Sequence, residues 1–271
     1  MVENISSRIY CKDARSMDEI TDSSVHLVVT SPPYFDLKKY NSDGNHTNQA
    51  GDIKNYDEYI KFLNQVWKEC IRVLTPDGKL CINIMPLFLS GSESKFKRRE
   101  TKLVITDLEN FMEESGSMYL LSTYIWDKRK IVRFSSFGSY PYPTNIFSTF
   151  PFEWIIVFSK AGKREKVPKN IKEQSKLTSK EWQGWAINSL WEMQPAKAQA
   201  VGHPAPFPEE LPKRIIKMYS FVGDTVLDPF LGSGTTVRVA NILGRNGIGY
   251  EINPTYVELA KKSLAQMSLE L

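Results

Sequence analysis

The chain has 271 residues, enough for one large α/β domain with insertions. Hydrophobic residues make up 41% and charged residues 24%, which argues against a disordered or fibrous chain, and the formal net charge of +4 is too small to establish a polyanionic partner by itself. No apolar run approaches the roughly 20 residues of a membrane span, and "MVENISSRIYCKDARS" lacks the apolar stretch of a signal peptide, so a soluble, cytoplasmic protein with no membrane partner is expected.

In chain order, "SSRIYCKDA" reads as a short strand ending at Asp13 and "SVHLVVT" as a second, both apolar like buried parallel strands. Residues 56–74 place Tyr59, Phe62, Leu63, Val66, Trp67 and Cys70 at helical spacing. "TPDG" stops that helix by turn chemistry, and "KLCINIM" is the next strand. Residues 86–102 are polar and basic, with Gly and Ser, and are expected to form a mobile loop. "LVITDLENFMEESG" follows as a helix and "MYLLSTYIWDK" as a strand. Segment 129–149 is rich in Arg, Lys, aromatics, Pro and Gly, and the strand "EWIIVFSK" comes after it. From Lys160 to Glu181 eight basic residues face three acids, a block flanked by Trp182, Trp185 and Trp191. "DTVLDPF" is a strand, "TTVRVANILG" a helix and "NGIGYEI" a strand; the last helix opens on Asn253 as N-cap with Pro254 in its first position. Strands alternating with helices predict an α/β fold with a mostly parallel sheet. Cys11, Cys70 and Cys81 have neither metal spacing nor a paired framework, so reduced structural thiols and no metal site are expected.

Two stretches carry chemistry. "VLDPFLGSGTTVRVA" puts Gly232 and Gly234 in a strand-to-helix turn, where backbone can approach a ligand closely, and Glu251 ends the next strand, where a carboxylate can accept from two ribose hydroxyls. The third glycine of the dinucleotide fingerprint is replaced by Val237, which points to an adenosine ligand without a pyrophosphate. A plain tight turn with a capping acid is the competing reading.

The second stretch is "VVTSPPYFDL". A nucleobase amine is a poor nucleophile because its lone pair is delocalised into the ring, so an enzyme using it must hold it with acceptors and align it with an electrophile. Prolines lack N–H groups and fix their carbonyls in place, the Ser31 hydroxyl accepts as well as donates, and Tyr34 can stack on a base taken out of a duplex. Standing alone, the tetrapeptide would read as a Pro-Pro strand terminator.

"TSPPY" at 30–34 resembles the catalytic motif of amino-methylating DNA methyltransferases, and "DPFLGSGTT" at 228–236 resembles their S-adenosylmethionine-binding motif. With the catalytic motif first and the cofactor motif last, the chain looks like the permuted β group of these enzymes; only about residues 86–110 and 161–200 match nothing in that pattern. The resemblance implies a Rossmann-like S-adenosylmethionine-dependent methyltransferase fold. Residues 1–160 would be its catalytic part, 161–200 an inserted target-recognition region and 201–271 its cofactor-binding part. Ser31, Pro32, Pro33 and Tyr34 would hold and activate the target amine. Asp228, Phe230, Gly232, Ser233, Gly234 and Thr235 would wrap the methionine end of the cofactor, with Thr30 also counted among its contacts. Glu251 would bind its ribose, Asp13 would receive its adenine amino group, and His203 of "HPAPFP" would lie beside its methionine moiety.

Members with Ser in the first catalytic position are mostly N4-cytosine enzymes, so the resemblance implies site-specific methyl transfer to the N4 amine of a flipped cytosine in double-stranded DNA. An N6-adenine enzyme of the same fold is the nearest alternative, followed by an RNA-base or protein-glutamine methyltransferase and by a DNA-binding module without catalysis. Many relatives carry His where this chain has Phe152, which leaves that position without a borrowed role. The DNA contacts are assigned to three basic loops, with Lys95, Lys97, Arg98 and Arg99 in the first, Arg129, Lys130 and Arg133 in the second, and Lys163, Arg164 and Lys166 in the third. A cognate restriction endonuclease would belong to the same system without direct contact, and the enzyme would act as a monomer or homodimer.

Overall fold

The computed structural model describes residues 5–35, 51, 53–130, 137–194 and 208–267. In chain order its strands are β1 (Ser7–Tyr10), β2 (Val25–Thr30), β3 (Leu74–Ile84), β4 (Leu87–Leu89), β5 (Glu100–Lys102), β6 (Met118–Asp127), β7 (Phe137–Gly138), β8 (Ile146–Phe147), β9 (Phe152–Lys160), β10 (Leu190–Glu192), β11 (Thr225–Asp228) and β12 (Asn246–Tyr250). Eight of them form one sheet in the order β1-β12-β11-β2-β3-β9-β6-β10. β9 runs antiparallel to β3 and β6, and the other pairings are parallel. The expected mostly parallel α/β architecture is therefore present.

Helices α1 (Tyr56–Val73) and α2 (Val104–Glu114) cover one face, and α6 (Glu210–Tyr219) and α7 (Thr235–Ile242) pack into the cluster on the other. α1 is fixed by its sequence. Asn55 caps it by accepting from the Glu58 N–H at 3.1 Å, and Tyr59, Leu63, Val66, Trp67, Cys70 and Val73 form its buried stripe. Each large side chain buried this way contributes about 1.5–3 kcal/mol. Lys160, first residue of the basic block, donates from Nζ to the carbonyls of Ile71 and Leu74 at 2.7 Å, closing the carboxyl end of α1. Burial pulls the Lys160 ammonium below its usual range.

The order of strands places the site. β2 leads through α1 to β3 on one side, whereas β11 leads through α7 to β12 on the other, so the chain turns away in opposite directions from the adjacent pair β2 and β11. Ligands bind at the carboxyl ends of strands beside such a switch point. Thr30 and Asp228 are the last residues of these two strands.

Three expectations need revision. "TPDG" does not separate helix from strand: β3 starts at Leu74, the turn is a bulge in which the register jumps between Val25 and Leu27, and Asp77 takes φ 63°. The loop expected over 86–102 contains the antiparallel pair β4 and β5, and the segment before β9 contains the pair β7 and β8. The stretch expected as a separate recognition insert holds α3 (Lys169–Gln174), α4 (Ser179–Glu181) and the π-helical turn α5 (Trp182–Ile187), but also β10, which joins the main sheet beside β6. Trp191 in β10 is fully buried, stacks on Tyr124 at 4.4 Å and donates its indole N–H to the carbonyls of Asn188 and Trp185.

Trp191→Ala should therefore cost about 3–5 kcal/mol of global stability by denaturant unfolding. A change below about 1 kcal/mol would show that residues 182–194 are a detachable appendage.

Candidate active site

The carboxyl edge is organised around one buried acid. Asp228 is 1% exposed, and its Oδ1 accepts from the Thr30 hydroxyl at 2.6 Å and the Phe230 N–H at 3.0 Å. Its Oδ2 accepts from the Thr236 hydroxyl at 2.7 Å. Burial pushes this carboxyl up to about 6 from an ordinary 3.8, against the pull of Thr30, Thr236 and the Phe230 amide. Thr30 and Asp228, expected as cofactor contacts, thus bind each other and hold the proline and glycine turns together.

After Asp228 the chain turns through residues 229–234 into α7, with Gly232 at φ 52° and Gly234 at φ 85°. A Cβ on Gly234 would stand 2.9 Å from the Cβ of Ala260 in α8 (Pro254–Met267), so no side chain fits. Glu251, just past β12, accepts from the Gly232 N–H through Oε2 and from the Asn253 N–H through Oε1, both at 2.9 Å, and burial raises its carboxyl. Ser233 is buried with its hydroxyl 3.3 Å from that of Thr235, and Phe230 packs edge-on against Trp67 at 6.0 Å. A half-buried acid clasped by a glycine turn at a switch point is a donor set that suits an adenosine-bearing cofactor. Asp13 lies past the end of β1, with its carboxylate held by the guanidinium and backbone N–H of Arg15.

The proline turn leaves β2 on the same edge. Tyr59 of α1 donates to the Pro33 carbonyl at 2.9 Å, Ser31 Oγ donates to Tyr34 Oη at 3.5 Å, and Tyr34 Oη donates to Glu153 Oε2 at 3.0 Å. Glu153, only 4% exposed at the head of β9, also receives Asn83 Nδ2 at 2.5 Å and an ion pair from Lys128. The Lys128 ammonium lies 4.0 Å from the Trp126 ring centroid. Glu153, Asn83 and Lys128 were missed by sequence reasoning. The available signal was a polar residue inside each of the apolar runs "CINIM" and "FEWIIVFS".

The basic residues do not all converge. The β4–β5 and β7–β8 excursions both leave the carboxyl edge, after β3 and β6, and pack together through Phe88 and Phe150 at 5.7 Å and through Arg99 over Phe147. Lys95, Lys97 and Arg98 are exposed there; Arg129 is paired with Asp127, and Lys130 with Glu192 at 2.9 Å. Lys163, Arg164 and Lys166 stand at the opposite edge, beside the amino ends of β2, β11 and β12, where they line a cavity of about 860 Å³ with His26 and Asp224. Arg164 is bound there to buried Asp224 and stacked on Phe221. Arg133 and His203 lie outside the described residues. Cys70 and Cys81 are buried, with thiols raised by desolvation, while Cys11 is exposed. Among the described residues, no His, Cys, Asp and Glu group could hold a metal, and no helix is long and apolar enough to cross a membrane.

A doubly wound sheet carrying a glycine turn and an acid on one side of its switch point, and a proline-rich polar clamp on the other, is the layout of an α/β group-transfer enzyme that brings a nucleoside-bearing donor to an acceptor. The DNA methylase family model for N6 and N4 enzymes matches residues 25–262. The Type II methyltransferase M.MjaI of Methanocaldococcus jannaschii is 35% identical over 95% of this chain and 90% of its own length. The Thermus thermophilus protein TTHA0409, solved in complex with S-adenosyl-L-methionine, superposes with a TM-score of 0.73 at 30% identity, covering 97% of this chain and 95% of that one. The PvuII DNA methyltransferase, named as cytosine-N4-specific, shares the fold with a TM-score of 0.66 at 21% identity, over 95% and 86% of the two chains. The chain belongs to the N6/N4 DNA methylase family, and is an S-adenosylmethionine-dependent DNA methyltransferase acting on an exocyclic amine.

Thr30→Val removes one hydroxyl donor from a buried carboxylate and should cost about 1.5–3 kcal/mol at pH 8. Because the folded chain raises the Asp228 pKa to about 6 from an ordinary 3.8, the stability Asp228 contributes is present below about pH 4 and lost as pH rises through about 6. The Thr30→Val loss should shrink at pH 5, where folded Asp228 is largely protonated and the bond is between neutral groups. Urea unfolding at both pH values checks this, and an equal loss at both would contradict it.

Proposed function

We propose that this enzyme methylates the N4 amine of cytosine in double-stranded DNA, at a base extruded from the duplex. The observation that carries the reading is the buried Thr30 to Asp228 hydrogen bond, which sets the proposed amine clamp and the proposed cofactor turn on neighbouring strand ends. S-adenosylmethionine supplies an electrophilic methyl group on a sulfonium centre. Glu251 is assigned to the ribose hydroxyls, and Gly232 to Thr235 to the backbone cradle beside the methionine end. Ser31 and the proline carbonyls accept from the exocyclic amine, turning its lone pair out of conjugation, and Tyr34 stacks on the ring. The support for cytosine is Ser31 itself, since the family resemblance associates Ser at that position mostly with N4 chemistry.

The duplex is assigned to the carboxyl edge, where Lys95, Lys97, Arg98 and Arg99 stand on one excursion and Arg129 and Lys130 on the other. Lys and Arg there would position phosphates. Exposed Tyr140 and Tyr142 between β7 and β8 add stacking surfaces on the same edge. The Type II name of M.MjaI supports a cognate endonuclease in the same system.

Incubating unmodified DNA with the enzyme and S-adenosylmethionine, then digesting it to nucleosides for mass spectrometry, should yield N4-methylcytosine. N6-methyladenine alone would replace the proposed base, and methyl transfer to RNA or protein but not duplex DNA would overturn the substrate. Replacing Lys97 and Arg98 together by Ala should weaken DNA binding about uniformly across sequences and lower the salt slope by about 2, one per lost phosphate contact. Calorimetry should show unchanged S-adenosylmethionine affinity in that variant; an unchanged salt slope would move the duplex to another surface.

A further inference from the structure

An exocyclic amine presents two N–H donors, so a site that fixes its orientation needs acceptors beside it. Ser31 is one candidate, but a hydroxyl can equally point its own proton at the amine. The structure shows what decides its direction. The Glu153 carboxylate carries no proton to give when ionised, so Tyr34 must donate to it; the phenol oxygen is then the acceptor for Ser31 Oγ–H, and the Ser31 lone pairs remain for a substrate. The same carboxylate oxygen orients Asn83. Its Nδ2 donates to Glu153 Oε2 at 2.5 Å, because the opposite amide rotamer would set two oxygens against each other. That leaves Asn83 Oδ1, in a residue only 2% exposed, as a buried acceptor without a hydrogen-bond partner among the described residues. Such atoms are rare in native proteins and call for an occupant.

We propose that Glu153 is the positioning residue of the target-amine site, turning Ser31 Oγ through Tyr34, and Asn83 Oδ1 directly, into acceptors that face the target amine beside the proline carbonyls. Lys128 supplies the counter-charge that lets a carboxylate sit in this buried position. Asn83 and Glu153 are placed by the register of the neighbouring strands β3 and β9, while Ser31 and Tyr34 lie in the proline turn after β2, which Tyr59 holds through the Pro33 carbonyl. The inference rests on the amine-methyltransferase reading and goes beyond it in naming what sets the direction of the acceptors.

The test uses the full-length enzyme, tritiated-methyl S-adenosylmethionine, and genomic DNA from a host lacking modification. Glu153→Gln keeps the shape but can donate toward Tyr34, so the direction is lost. It should lower kcat by about tenfold to a hundredfold, the scale of a misplaced reacting group, with S-adenosylmethionine affinity and thermal midpoint close to wild type. Tyr34→Phe keeps the ring and breaks the chain, and should lose a similar factor. The double variant should be no worse than the weaker single one, since both cut the same path. Asn83→Leu, which keeps the volume without the acceptor, should likewise lower kcat at unchanged cofactor affinity. Wild-type kcat in either Glu153→Gln or Tyr34→Phe would overturn the proposal, as would losses that multiply in the double variant or that follow cofactor affinity. If Glu153→Gln does not fold, Tyr34→Phe and Asn83→Leu decide the question alone. A wild-type enzyme that labels no DNA would overturn the underlying reading instead.

Discussion

The hydrogen bond between Thr30 and Asp228 joins residues 198 positions apart and is the point on which the site depends. One end of it starts the proline turn, and the other starts the glycine turn. A buried carboxylate is tolerated there because two hydroxyls and a backbone N–H solvate it in place of water, and the remaining desolvation appears as the raised Asp228 pKa. If this link were broken, a charge would be left underpartnered and the two turns would lose their common anchor.

Around this anchor stand two further acids whose environments differ. Glu251 is held by two backbone N–H groups at the mouth of the glycine turn, and burial raises its carboxyl. Glu153 is held by a phenol, an amide and a lysine. Asp228 is a framework group, Glu251 is proposed to meet a neutral diol, and Glu153 is proposed to orient neutral acceptors. None of these roles asks for a strong base, which suits the transfer of a methyl group from a sulfonium to an amine, whose proton is acidic once the new bond has formed.

Much of this was legible in the sequence because the signals are local. Gly232 and Gly234 reveal a turn by their own backbone freedom, and the apolar period of α1 reveals a buried helix without knowledge of its partners. Contacts that depend on which strands become neighbours were not legible. Asp228 and Thr30 read as separate ligand contacts until β11 is seen to pair with β2. The basic block misled for a related reason: charge is visible in sequence, but the edge of the sheet on which it emerges is not. Lys160 closes α1, Arg164 neutralises Asp224 at the far edge, and of the three basic segments, among the described residues, the excursions after β3 and β6 are the ones at the carboxyl edge. β10, three residues long, is too short for any period to announce it, and Trp191 shows its importance only through burial.

If the two turns joined by Thr30 and Asp228 form one site for donor and acceptor, a crystal structure of the enzyme with bound S-adenosylhomocysteine must show both halves engaged. The ribose hydroxyls are expected on Glu251, the ligand chain along Gly232 to Thr235 and the sulfur facing Ser31, with the Thr30 to Asp228 bond intact. A ligand seated in the cavity beside His26 and Arg164, or a sulfur turned away from the proline turn, would contradict this arrangement.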